Sequence, residues 1–496
     1  MGVSDQPSYE QLVCLVAEQA ALIGQRDATI AAQAALIERL AGQVEWLAAR
    51  VEVLERQVGK DSGTSSRPPS SDSPFTKKAP QRSSRTSSGR PRGKQPGEPG
   101  QTRNMVTDPD EIVVVDPPAC TGCGGSLADA SVFATRRHQV FDVPPPPPRP
   151  YVTEYRIVAR VCPCCAATSA GQAPVGVTGR VGYGPGLLAR AAWLVCAHHL
   201  PVRRAAAILA ALAGARVSSG WVATVRGRAA RLLATTFLPR VKELIAAAPV
   251  AHADETTARA DGALRYLHVA CTDYLTVMHV GDRTAATIDA GGVWPAFTGT
   301  LVRDGYTGYA HLTGALHAWC GAHLLRDLRA VHDGDPAGQV WADAMADVLL
   351  DAHHAAGAAR HAGQAVLAPE VLARIRNHYL GALARGDVDN QGTHSPLATD
   401  ARTLIRRFRR YENMILRFAT DLTVPFSNNL AERDVRPVKV QQRTSGGCWR
   451  TLHGLADFAV VQSYLSTASK WGLDTLDALT QLFTTGPWLP PTAQPG

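Results

Sequence analysis

PVAHADETTARADGALRYLHVACTDYLTVMHV, residues 249–280, is where the chain changes character. Three short β-rich runs, Pro249–Asp254, Leu264–Thr272 and Leu275–Val280, are separated by turn residues and predict adjacent strands. A further strand is expected at Thr300-Leu-Val-Arg-Asp304, entering the turn Gly305-Tyr-Thr-Gly-Tyr309. An acid at the end of a buried strand is costly unless a cation compensates it. Asp254 and Asp304 both fit that description, and a third carboxylate, Glu432, would come from a helix in Ser427-Asn-Asn-Leu-Ala-Glu432-Arg433. Asn428 and Asn429 are placed to begin that helix. Such a cluster suits a pair of divalent ions: one lowers the pKa of an attacking water or hydroxyl, the other stabilises the leaving oxygen. Mg²⁺, or Mn²⁺, accepts a few carboxylates completed by water and substrate oxygens. Spacing alone leaves Asp254 and Glu255 as alternatives, and likewise Asp304, Asp273 and Asp282.

Outward from this core, residues 322–417 are alanine-rich and helical in pattern, and Gly454–Phe483 is helical again. On the other side, Gly182–Ile245 reads as helical. Within it Pro201–Leu212, Gly214 and Ser218–Ala230 have the outline of a helix-turn-helix, with Ser218 or Ser219 as cap and Arg203, Arg204, Arg226 and Arg228 as positive charge. An ordinary helical hairpin fits the same pattern.

Of ten cysteines, five fall between Cys120 and Cys165. Cys120-Thr-Gly-Cys123 and Cys162-Pro-Cys164-Cys165 are two Cys-x-x-Cys knuckles separated by 38 residues. Four thiolates close a tetrahedral structural zinc site, with Cys164 as a spare. The strand-like run Glu111–Val115 opens this module, and Pro144–Pro148 is a stiff spacer inside it.

The first sixty residues carry a heptad repeat. Ile23, Ile30, Ile37, Val44, Val51 and Val58 recur every seven residues, with Leu40, Leu47 and Leu54 three places after Ile37, Val44 and Val51. β-Branched residues at a and leucine at d favour a parallel two-stranded coil, although Arg26 and Gln33 occupy the earlier d positions. Asp61–Arg103 has almost no large apolar residues and is expected to stay disordered. Lys77, Lys78, Arg82, Arg85, Arg90, Arg92 and Lys94, with no acid among them, are suited to a phosphate backbone.

The formal net charge of +8 is compatible with a nucleic-acid partner. Ala205–Ala213 is too short to span a bilayer and Met1–Glu10 lacks a secretory apolar stretch, so a cytoplasmic protein without a membrane partner is expected.

Together these motifs resemble the transposases of the insertion sequence 66 family, in order and over nearly the whole chain. The resemblance is carried by the coil and Ser65-Ser-Arg-Pro-Pro-Ser-Ser-Asp72, and by the knuckles around Val140-Phe-Asp-Val-Pro-Pro-Pro-Pro-Pro148. It continues through His252-Ala-Asp254-Glu-Thr256, Asp304-Gly-Tyr-Thr-Gly-Tyr309 and Asn428-Asn-Leu-Ala-Glu432-Arg433. It implies a multidomain α/β protein whose ribonuclease-H-like core carries a metal-binding triad, Asp254, Asp304 and Glu432. Arg433 and Arg436 would then face DNA, and Cys320 and His323, in Trp319-Cys320-Gly-Ala-His323, would lie near the reacting strand. Thr444-Ser-Gly-Gly-Cys-Trp-Arg450 departs from the family pattern.

The organisation expected is a coiled coil over 1–60, a basic linker over 61–107, a zinc module over 108–172 and a helical domain over 173–248. A catalytic domain follows over 249–440, with its helical insertion at about 322–417, and then a C-terminal helical region over 441–496. The expected function is cleavage of the ends of a mobile element and transfer of their 3′ ends to target DNA. The protein would act as a homodimer or larger assembly, with accessory proteins of the same element as further partners. Transesterification conserves phosphodiester bonds, so no energy cofactor is expected. The rival reading is a non-catalytic zinc- and DNA-binding regulator derived from a transposase.

Overall fold

A computed structural model describes residues 8–59, 104–144, 146–174, 177 and 179–492. The basic residues Lys77, Lys78, Arg82, Arg85, Arg90, Arg92 and Lys94 lie outside the described residues. The chain divides into a large unit (Met1–Lys77, Glu154–Leu209 and Arg216–Gly496) and a small one (Lys78–Thr153 and Ala210–Ala215).

Helix α1 (Tyr9–Gly59) contains the heptad segment, and Ile23, Ile30, Ile37, Val44 and Val51 are all exposed on it. In the small unit the expected strand Glu111–Val115 is not a strand: the run is exposed and makes no ladder among the described residues. Its β-branched side chains give it the propensity, but strand formation needs a pairing partner. Strands β1 (Ala159–Val161) and β2 (Thr168–Ala170) form a two-stranded antiparallel ribbon. Then come α2 (Pro185–Ala192), prolonged by a π turn, α3 (Val202–Ala213), α4 (Ser219–Ala234) and α5 (Phe237–Ala246). Ser218 caps α4, its hydroxyl accepting the Trp221 N–H at 3.1 Å.

The central sheet is built from β3 (Val250–Ala260), β4 (Ala263–Cys271), β5 (Thr276–Gly281), β6 (Thr300–Arg303) and β7 (Leu316–Trp319), with α6 (Ala285–Ala290) before β6. Its order is β5-β4-β3-β6-β7. Strand β4 runs antiparallel to both β3 and β5, while β6 runs parallel to both β3 and β7. Strand β3 does not stop at Asp254, as expected from sequence, but continues to Ala260. The reason is the Asp261-Gly262 turn, where both residues have positive φ, 52° and 72°. That geometry matches the right-handed twist of a tight hairpin, so the polar residues after Asp254 pair with β4.

Helices α7 (Gly321–Gly334), α8 (Val340–His361), α9 (Pro369–Asp389), α10 (Pro396–Arg410), α11 (Glu412–Ile415) and α12 (Arg417–Thr420) follow β7. Trp341, Met345, Tyr379 and Phe408 of this group share one core with Val302, Ala318 and Trp319 of the sheet. Each large apolar side chain buried there contributes about 1.5–3 kcal/mol, which fixes the helices against the β7 side. The chain returns as α13 (Asn429–Thr444), α14 (Leu452–Lys470) and α15 (Thr475–Thr484). Helix α14 covers the β5 edge, where Ser463 and Thr467 hydroxyls accept the Met278 and Thr276 N–H groups at 2.8 and 3.0 Å. Those edge donors are thereby closed to further pairing. Among the described residues no helix is long and apolar enough to cross a membrane.

Candidate functional site

Sheet register brings the dispersed residues into line. Val250, Ala251 and His252 pair with Thr300, Leu301 and Val302; Asp254 lies two residues further along β3, Asp304 follows the end of β6, and the Asp304 charge acts on Asp254. Arg303 pairs with Trp319, so Cys320 follows alongside Asp304. Helix α13 is then locked onto this row by Asn428. Its side chain accepts from His252 Nδ1 at 2.9 Å and donates to the Ala253 carbonyl at 2.7 Å. Its backbone N–H donates to Cys320 Sγ at 3.1 Å. The helix does begin here, but Asn428 makes no side-chain capping bond. The amide is used across the site, where it fixes Glu432 relative to β3.

Further down the helix, Lys439 Nζ donates to Thr257 O and Oγ1 at 2.6 and 2.9 Å, and burial lowers its pKa to about 8. Buried Asp434 accepts from Thr276 and Lys470 at 2.8 and 2.7 Å. Asn428, Lys439 and Asp434 thus hold α13 to the sheet, while Arg433 and Arg436 of the same helix are exposed.

The electrostatics separate two neighbouring acids. Glu255 is tied to Arg283, whose Nε donates to Oε1 at 2.8 Å, and accepts from the Tyr309 hydroxyl at 3.2 Å. Asp254 has no ion pair among the described residues. Burial, and then repulsion from Glu255, Asp304 and Glu432, holds its carboxyl well above the usual aspartate range. A group in that position is short of positive charge. Asp304 Oδ1 accepts the Tyr306 N–H at 2.9 Å, and Arg303 pins the same loop by donating to the Asp304 and Tyr306 carbonyls. The alternatives Asp273 and Asp282 are exposed, and Asp282 pairs with Arg265. A cleft of about 300 Å³ opens at Asp304, Cys320 and His323, with Arg283 and Arg407 on its walls.

Residues 180–456 match the family model described as Transposase IS66 family. The chain belongs to the IS66 transposase family. Residues 23–104 also match a family of unknown function, DUF6444. No curated protein matches the chain.

In this IS66-family chain, sequence reasoning held Glu255 only as an alternative to Asp254, and passed over its partner Arg283 and Asn428 as a clamp. An Asp-Glu pair on a strand was the available signal: the two neighbouring acids point to different environments, and only one meets an arginine. Gly321 is a second signal, because a Cβ there would lie 2.2 Å from the Phe426 ring. Its N–H donates to the Phe426 carbonyl at 2.8 Å, holding the segment before α13 against the start of α7. The divergent stretch after Arg443 also has a place in this transposase. The Trp449 N–H donates to Arg259 O at 2.7 Å, and Asp261 N–H donates to Trp449 O at 3.0 Å, which extends the end of the β3–β4 hairpin.

The knuckles repeat one turn. Cys120 N–H donates to Gly125 O and Gly124 N–H to Cys120 O; Cys162 N–H donates to Ala167 O and Ala166 N–H to Cys162 O. Gly124 and Ala166 both take positive φ, 75° and 61°. Backbone N–H groups of Cys123 and Gly122 lower the Cys120 pKa, and those of Cys165 and Cys164 do the same for Cys162.

Proposed function

We propose that this transposase binds the ends of its mobile element, hydrolyses them and joins the freed 3′-hydroxyls to target DNA. The observation that carries the reading is the buried Asp254, repelled by Glu255, Asp304 and Glu432 and in no ion pair among the described residues. The donor set is hard oxygen, which fits Mg²⁺ or Mn²⁺. When bound, such ions supply an activated nucleophile and stabilise the leaving oxygen of a phosphodiester. The chain's own residues would orient the strand: Asn428 and Lys439 hold α13, and exposed Arg433 and Arg436 meet phosphates. The sheet order, with Asp254 on β3 and Asp304 just past the end of the parallel strand β6, supports a ribonuclease-H-like core.

Each knuckle presents two thiols on an amide-lined turn, which supports the reading of Cys120, Cys123, Cys162 and Cys165 as zinc ligands. The exposed heptad face of α1 supports self-association. The deciding experiment is cleavage of labelled element-end DNA with Mg²⁺ or Mn²⁺, comparing the natural chain with Asp304→Ala. Metal-dependent cutting that vanishes in the variant, with DNA binding retained, supports the reading. Binding without cutting by either protein favours a non-catalytic regulator.

A further inference from the structure

Among the described residues, one group of three His, Cys or acidic side chains brings its ligand atoms within 4.8 Å of one another: Cys320, His323 and Glu432. Two of these atoms face each other without a hydrogen bond. His323 Nδ1 and Glu432 Oε1 are both buried and unsatisfied, 3.7 Å apart. That gap is too long for a hydrogen bond. Ligands held about 2.0–2.2 Å from one tetrahedral ion lie roughly 3.3–3.6 Å from each other, so a small inward movement fits the pair to a shared ion.

The sulfur sits at a turn, as in the knuckles. Cys320 is the residue before α7, its Sγ accepts the Asn428 N–H at 3.1 Å, and its carbonyl accepts the His323 N–H at 3.1 Å. Cys320-Gly-Ala-His323 is thus a third Cys-x-x-ligand turn, with histidine in the final place.

We infer that Cys320, His323 and Glu432 form a binding site for a zinc-class transition-metal ion, distinct from the oxygen-ligand site for Mg²⁺. Thiolate and imidazole select Zn²⁺ or Co²⁺ over Mg²⁺, which prefers oxygen. Thiolate and carboxylate together balance the charge of a divalent ion, and the remaining position is open to water. Arg326, 3.7 Å from Glu432 Oε1, stays outside the ligand set. Glu432 belongs to both sites, so loading this one withdraws the third carboxylate from the triad. That consequence rests on the proposed catalytic reading, but binding does not.

The test is Co²⁺ titration of the full chain without DNA, following the thiolate-to-metal absorption band, with bound metal counted after dialysis. The natural chain should bind one equivalent whose band reports a single thiolate, beyond any all-thiolate sites. Cys320→Ser and His323→Gln, folded by circular dichroism, should each lose that equivalent. An unchanged count and band in either folded variant overturns the site. So does the lack of a single-thiolate equivalent in the natural chain, which decides the matter even where a variant fails to fold. A protein that never cuts DNA can still pass, so failure here and failure of the cleavage assay are separate results.

Discussion

The cysteine knuckles and the proposed carboxylate site position their side chains by opposite means. Each knuckle closes within six residues through two backbone hydrogen bonds and one positive-φ residue. In the proposed site the carboxylates come from strand β3, the turn after β6 and a helix, and their positions depend on the β3–β6 register and on the Asn428 clamp. A local site fails locally when one ligand is lost. A dispersed site is as good as the packing of every element that carries it, and packing does not relieve the mutual repulsion of its acids.

The largest effect expected from this difference is on chemistry. Asp304→Ala should reduce metal-dependent cleavage by at least on the order of 10³-fold, while the melting temperature stays within a few degrees. Asp304 stands at a strand end where its removal leaves the ladder intact. A variant that instead loses its fold would show that the acid is structural and that the contrast is misplaced.

The same difference explains what the sequence made legible. A Cys-x-x-Cys turn is visible because everything that shapes it is adjacent. Asp254 was visible as an acid in a β-rich run, yet its distinction from Glu255 depends on Arg283, which is brought near only by the sheet. Strand β7 was not foreseen: Leu316-His-Ala-Trp319 is four residues without clear alternation, and its pairing with β6 makes it a strand. Conversely, Glu111–Val115 has strand-like composition and makes no ladder, since propensity cannot supply a partner. Asn428 was expected to begin a helix, and nothing local could tell that its side chain reaches Ala253 and His252.

Next in size is the loss of a local site. Replacing Cys120 and Cys123 with serine should release bound zinc, measured by a chromophoric chelator, and weaken DNA binding. The near-ultraviolet circular dichroism should hold, because none of the nine tryptophans lies between residues 78 and 153. Collapse of that signal would show the two regions to be energetically inseparable.

Asn428→Ala tests the clamp. It strips partners from His252 and from the Ala253 carbonyl, both in the interior of the sheet. Leaving a buried polar group unsatisfied costs about 1–3 kcal/mol, read as a lower urea midpoint at unchanged slope. Cleavage should fall by more than the stability loss explains, because Glu432 is freed to shift. Equal activity in a destabilised variant would mean that Lys439 and Asp434 position the helix without it.

The smallest effect is the most direct measure of the repulsion stored in the site. Asp254 has a folded-state pKa above its ordinary 3.8, so over the intervening range the folded chain binds more protons than the unfolded chain. Its contribution to stability is therefore fully present below pH 3.8 and is lost as pH rises through the folded value. Asp254→Asn never pays this cost, so in chelator it should melt higher than the natural chain by on the order of a few degrees. The difference should be near zero at the acid end and grow as pH rises. Excess Mg²⁺ should reverse its sign, because an ion that binds only the folded carboxylates stabilises the natural chain by mass action. A melting difference that ignores both pH and Mg²⁺ would mean that Asp254 is compensated within the protein, and the contrast between a self-sufficient knuckle and a cation-dependent sheet site would fail.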